Sequence, residues 1–214
     1  MTVYQHGVAL DTLLGTVPMV PVLTVQRVAD AAPLAAALVA GGLPIIEVTL
    51  RTADALAAIA AITAQVHGAV VGAGTVLSKQ NITDATIAGA QFLVSPGTTP
   101  ALAEAAASAE VPFIPAAATA SEMMALAELG FGLLKFFPAE QSGGAALLRS
   151  VGGPLAHLTF MPTGGVGPGN ARAYLELTNV RAVGGSWVAP KKLIDVGDWA
   201  GITALAREAV ALLK

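Results

Sequence analysis

Short apolar runs alternate along this chain with Ala- and Leu-rich stretches, and Gly or Pro stands at nearly every junction. The short runs predict strands at residues 19–25, 44–50, 69–72, 92–95, 112–115, 133–137, 158–161 and 182–185. Helical stretches fall between them, among others at 33–40, 53–66, 101–108, 121–129 and 145–151, with an extra leading helix at 8–14. Gly41–Gly42 and Gly130 follow helices, where a left-handed cap is expected. Asp30 and Thr119 stand at N-cap positions, with Glu122 close behind the latter. Strand and helix in strict alternation imply a parallel sheet. An open doubly wound sheet and a closed barrel both satisfy that order. About eight strands within 214 residues favour closure, because so wide an open sheet is uncommon in so short a chain. The expected fold is α/β: one (β/α)8 TIM barrel over residues 1–214, with the extra N-terminal helix at its bottom. No shift in composition marks a second domain.

Such a barrel carries its site at the C-terminal ends of the strands. Lys135 lies there between Leu133-Leu134 and Phe136-Phe137. An apolar surrounding without a fixed counter-charge favours the neutral amine, which can attack a ketone. The bland alternative is a lysine reaching from a strand end to solvent. In the run from Ile45 to Arg51, period-two alternation puts Glu47, Thr49 and Arg51 on one face and Ile46, Val48 and Leu50 on the other. The aliphatic set suits the helices, so Glu47 and Arg51 are expected to face the barrel axis. They read either as a structural ion pair or as a general acid/base beside a carboxylate clamp. Thr163-Gly164-Gly165 and Gly184-Gly185-Ser186 end the last two strands, the usual phosphate site of such barrels, although tight turns also need glycine.

Composition removes several chemistries. The absence of cysteine excludes disulfides, thiol nucleophiles and thiolate metal sites. His6, His67 and His157 are scattered, so no metal site is expected and each reads as a surface or capping residue. A net charge of −3, with no basic stretch beyond Lys191-Lys192, argues against nucleic acid. Every apolar run is broken well short of the ~20 residues of a membrane span, and the N-terminus does not read as a signal peptide. A soluble protein is expected. With 55% hydrophobic and 12% charged residues, a large core or a subunit interface is expected too.

The motifs PVLTV, GGLPIIEVTLRT, VGAGTVL, AQFLVSPG, LLKFFPAE, PTGGV and VGGSWVAP, in that order, resemble the 2-keto-3-deoxy-6-phosphogluconate (KDPG) aldolases, including enzymes that also cleave 4-hydroxy-2-oxoglutarate. KFFPAE and EVTLRT are the specific parts, whereas the glycine turns occur in many barrels. The resemblance runs from about Pro18 to Leu213. It implies a lyase in which Lys135 forms a Schiff base with the substrate ketone and Glu47 acts as acid/base through a water. Arg51, helped by Thr75, would hold the pyruvyl carboxylate. Pro96, Phe137 and Thr163 would shape the pocket, and Gly164, Gly165, Gly185 and Ser186 would take the phosphate of a phosphorylated 2-keto acid. It further implies a cytoplasmic homotrimer with no metal or organic cofactor.

One departure stands out. Pro115 is followed by Ala116-Ala117-Ala118 where the family commonly has glycine, so an added methyl group either narrows the pocket or faces a helix harmlessly. Rival readings are the galactonate-epimer aldolase, a phosphate-binding barrel isomerase or synthase, and a non-catalytic barrel.

Overall fold

The computed structural model describes residues 3–14 and 17–213, and the side chain of His6 lies outside the described residues. Helix α1 (Val3–Leu14) leads into β1 (Met19–Leu23), α2 (Val28–Ala40), β2 (Ile45–Thr49), α3 (Ala55–Gln65), β3 (Val70–Gly74) and α4 (Lys79–Ile87). The middle of the chain forms β4 (Leu93–Val94), α5 (Pro100–Ala107), β5 (Phe113–Ile114), β6 (Ala116–Ala117) and α6 (Ala120–Glu128). It ends in β7 (Leu133–Phe136), α7 (Gly144–Val151), β8 (Thr159–Pro162), α8 (Ala171–Leu175), β9 (Val183–Gly185), α9 (Lys191–Asp195) and α10 (Trp199–Leu213).

All paired strands run parallel, in a six-stranded sheet β5-β4-β3-β2-β1-β9 and a three-stranded sheet β6-β7-β8. The architecture is an α/β fold whose parallel sheet curls on itself. The expected fifth strand, residues 112–115, keeps only β5, and pairing resumes beyond its expected end in β6. Pro115 separates them and lacks the N–H a ladder needs, while its carbonyl still accepts from Lys135 N at 2.8 Å. Single bridges, Phe160 to Val180 and Thr163 to Gly184, connect β8 to the β9 side.

The curl separates two apolar layers by the period of the strand. Ile46 and Val48 pack outward against Leu34, Leu38, Ile59 and Ile62 of α2 and α3. Val20, Ile45, Phe92, Val94, Ile114, Leu133 and Met161 fill the inner face. Leu10 and Leu14 of α1 join that inner cluster beside the strand starts, so the leading helix plugs the N-terminal end as expected.

Boundaries moved where local chemistry overrode the pattern. α2 begins at Val28, so Asp30 is inside the helix and pairs with the N-cap residue Arg27 at 2.8 Å instead of capping it. Thr119 does cap α6, in a reciprocal box with Glu122. That carboxylate is held below its ordinary range, chiefly by the Ala118 N–H.

Leu14 is fully buried at the plugged end. Leu14→Ala should cost about 2–5 kcal/mol in denaturant unfolding, from lost transfer energy and a residual cavity. A cost below 1 kcal/mol on the order of a surface change would show that the plug is dispensable.

Candidate active site

Lys135 on β7 and Glu47 on β2 project onto the inner face and meet there, with Nζ 3.1 Å from Oε1. Lys135 is 4% exposed and Glu47 0%. Burying two charges costs several kcal/mol per ion, and their attraction offsets that only with good geometry. The geometry here is incomplete, because Glu47 Oε2 is buried and has no partner among the described residues. A buried acceptor without a donor is rare in native cores and concentrates where a ligand or water is handled. The expected alternative, a Glu47–Arg51 ion pair, is not what forms: the carboxylate's partner is Lys135. The lysine accordingly does have a counter-charge, one close enough to take a proton from its ammonium group.

Glycines make the room. A Cβ on Gly74 would sit 2.1 Å from Glu47 Oε1, and one on Gly72 would lie 2.5 Å from the Phe92 ring. The glycines of VGAG are therefore spaces for the carboxylate and for the inner core. Lys135 lies in register between Ala116 and Met161 on its neighbouring strands, and the Phe137 ring centroid is 5.4 Å from Nζ. Register partners in parallel strands share a face, so Ala116 points inward beside Lys135, whereas Ala117 packs in the outer core. Ala118 instead serves α6, donating its N–H to Glu122 at 2.8 Å. Of the two readings of this departure, the inward methyl applies to Ala116 alone.

At the mouth, a cavity of about 190 Å³ is lined by Arg51, Phe137, Thr163, Gly164, Gly165, Gly185 and Ser186, all expected at the site. Thr75 stands behind Arg51, 3.4 Å from its Nε. It has φ 59°, a left-handed conformation that costs a β-branched residue on the order of 1–3 kcal/mol. Pro96 is half-buried after β4 and does not line the cavity. Val22, Thr24, Val166 and Gly184 also line it, though only Gly184 stood in an expected site turn. Thr24 had a visible signal, two residues beyond Val22 on the inner face of a strand. Its hydroxyl lies 3.0 Å from that of Thr49, which donates to Leu23 O at 2.9 Å.

The turn after β8 has a one-sided hydrogen-bond pattern. Ala139 N donates to Thr163 O at 2.8 Å, Glu140 N to Gly164 O at 3.1 Å, and Asn170 Nδ2 to Gly165 O at 3.0 Å. Three successive carbonyls are thereby satisfied on one side. Among the described residues, no acceptor meets the N–H groups of Gly165 and Val166. Positive φ at Gly164 (99°) and Gly165 (75°) permits this turn. Unclaimed amides beside the Ser186 hydroxyl and the Arg51 cation form a concavity suited to an anion.

A curled parallel α/β sheet with a lysine–carboxylate pair on its inner face and an anion cradle at its mouth is equipment for processing a charged carbonyl compound. The chain belongs to the KDPG and KHG aldolase family, whose model matches residues 10–205, and it is thus a lyase. It is 48% identical over 200 residues to the KHG/KDPG aldolase of Escherichia coli K12, covering 94% of each chain. The KDPG aldolase of Legionella pneumophila, solved with pyruvate captured as a covalent carbinolamine, superposes with a TM-score of 0.91 at 40% identity. That match covers 94% of this chain and 97% of the other. The Zymomonas mobilis ZM4 KDPG aldolase, solved with 3-phosphoglycerate, gives 0.88 at 46% identity, covering 94% and 95%.

The space kept by Gly74 is testable. Gly74→Ala should displace the Glu47 carboxylate and lower kcat by about 10²-fold or more, as loss of a positioned acid/base does. Turnover within twofold of the parent, on the order of assay error beside that effect, would remove Glu47 from the chemistry.

Proposed function

We propose that this protein is a class I aldolase that cleaves 2-keto-3-deoxy-6-phosphogluconate to pyruvate and glyceraldehyde 3-phosphate. The observation that carries this reading is the buried Lys135–Glu47 pair with its unpartnered Oε2. In the reaction, Glu47 takes the proton that frees the Lys135 amine, and the amine attacks the C2 ketone to give a carbinolamine. Loss of water, with Glu47 returning a proton to the departing oxygen, leaves an iminium ion. The iminium draws the electron pair of the C3–C4 bond as that bond breaks, and the C4 hydroxyl loses its proton to Glu47 through a water. The aldehyde departs, C3 of the enamine is protonated, and hydrolysis returns pyruvate and free lysine.

Arg51, set by Thr75, clamps the pyruvyl carboxylate. The Gly165 and Val166 amides, with Gly164, Gly185 and Ser186 around them, take the phosphate. Phe137 and Thr163 shape the space between, and Pro96 supports it from the loop after β4. The E. coli relative is a KHG/KDPG aldolase. Cleavage of 4-hydroxy-2-oxoglutarate to pyruvate and glyoxylate is therefore a second activity of the same lysine, with a carboxylate in place of the phosphate.

The same reading extends to the whole molecule. The chain forms one closed (β/α)8 barrel, in which β5 and β6 act as one strand and the two bridges complete the seam between β8 and β9. Three copies assemble as a cytoplasmic trimer, in keeping with the 55% hydrophobic composition. Sedimentation velocity should return three times the 21.3 kDa chain mass, and a stable monomer would discard the assembly.

The chemical test is direct. Incubation with pyruvate followed by borohydride should leave a reduced adduct on Lys135 and abolish cleavage. Peptide mapping that places the adduct on Lys79, Lys191, Lys192 or Lys214 would overturn the assignment.

A further inference from the structure

The anion turn depends on residues behind it that do not line the cavity. Glu140, two residues beyond the cis Phe137–Pro138 bond, donates its N–H to Gly164 O at 3.1 Å. Its side chain then passes across the back of Gly165. A Cβ on that glycine would lie 2.8 Å from Glu140 Cβ and 2.7 Å from its Cγ. At the far end, Oε1 accepts a hydrogen bond from the hydroxyl of Tyr174 on α8. Tyr174 is 1% exposed and fixed in the outer core. Burial, then the hydrogen bond and the charge of Glu140, raise its pKa well above the ordinary value. The phenol thus remains a neutral donor at any working pH.

We infer that Glu140 and Tyr174 are positioning residues for substrate phosphate: together they brace the Gly164–Gly165 turn so that its amides face the cavity. This rests on the reading of that turn as the phosphate site. The side chain ties turn to helix. Its carboxylate is directed at a buried phenol, and the backbone N–H of the same residue holds a carbonyl of the turn away from the cavity. Without the phenolic donor, the carboxylate would be free to rotate, and a negative charge next to the cradle would oppose an incoming phosphate. Neither residue touches the reacting atoms. The brace therefore governs how well the phosphate is held and leaves imine formation at Lys135 alone.

The experiment compares Tyr174→Phe, Glu140→Ala and Glu140→Gln with the parent. The readouts are KM and kcat on 2-keto-3-deoxy-6-phosphogluconate and on unphosphorylated 2-keto-3-deoxygluconate, competitive inhibition by inorganic phosphate, and the borohydride-trapped pyruvate adduct. Tyr174→Phe and Glu140→Ala should raise KM for the phosphorylated substrate and weaken phosphate inhibition by about three- to tenfold, the scale of one lost hydrogen bond. The unphosphorylated substrate and the adduct yield should barely respond. Glu140→Gln keeps an acceptor for the phenol and should retain most of the parent's phosphate affinity. Equal losses on both substrates would reduce the pair to a support of the fold and overturn the inference, as would no loss in either disruptive variant. A parent enzyme that neither prefers the phosphorylated substrate nor is inhibited by phosphate would refute the phosphate reading of the turn, and the brace with it. Parent phosphate dependence with unaffected variants would overturn the brace alone.

Discussion

A lysine and a glutamate sealed together on the inner face of a sheet constrain everything around them. Separated, either would be a lone buried charge, costing several kcal/mol. β2 and β7 must therefore come face to face across the curl, although Glu47 and Lys135 lie 88 residues apart in the chain. Gly74 must be glycine because the carboxylate occupies the volume of its missing side chain. The pair also keeps a polar centre in a layer otherwise filled by Phe92, Ile114 and Met161. The unpartnered Oε2 shows that this layer is not arranged for stability alone.

Much of this was legible in the chain because the relevant signals are local. Period-two alternation around Glu47 separated inward from outward residues correctly, and the Thr119 cap with Glu122 formed as its spacing implied. The glycine turns were placed at strand ends, where they do line the mouth. What failed was pairing. Alternation shows that Glu47 and Arg51 share a face, but not that a strand far along the chain brings a lysine within 3.1 Å. Asp30 was misplaced because a carboxylate at the start of a helix suits either a cap or a first-turn ion pair, and Arg27 decided it. The pairing at Ala116–Ala117 was missed because the strand was expected to stop at Pro115, whose carbonyl still accepts from Lys135 N. Glu140 closes the KFFPAE motif but received no role, and Tyr174 carried no signal, since their contact joins a loop to a buried helix residue 34 positions later.

The two ends of the inner layer answer to different demands. Around the strand starts, the contacts are aliphatic and dense. Toward the strand ends they become polar and strained, with Thr75 left-handed, Glu47 incompletely paired and a run of amides lacking acceptors. Each of those features costs stability locally, and the apolar end offsets it. A fold built this way can vary its mouth without disturbing the layer that holds it together.

The helical plug at the strand starts also bears on traffic. With Leu10 and Leu14 stoppering that end, a molecule that reaches the lysine enters and leaves past the glycine turns. Under the proposed reaction, the half attached covalently lies deeper than the half held by the turns. The outer fragment must clear the passage before the inner one can be hydrolysed and follow. Release is then sequential by geometry, aldehyde first and pyruvate second, and condensation in the reverse direction must load pyruvate before its partner.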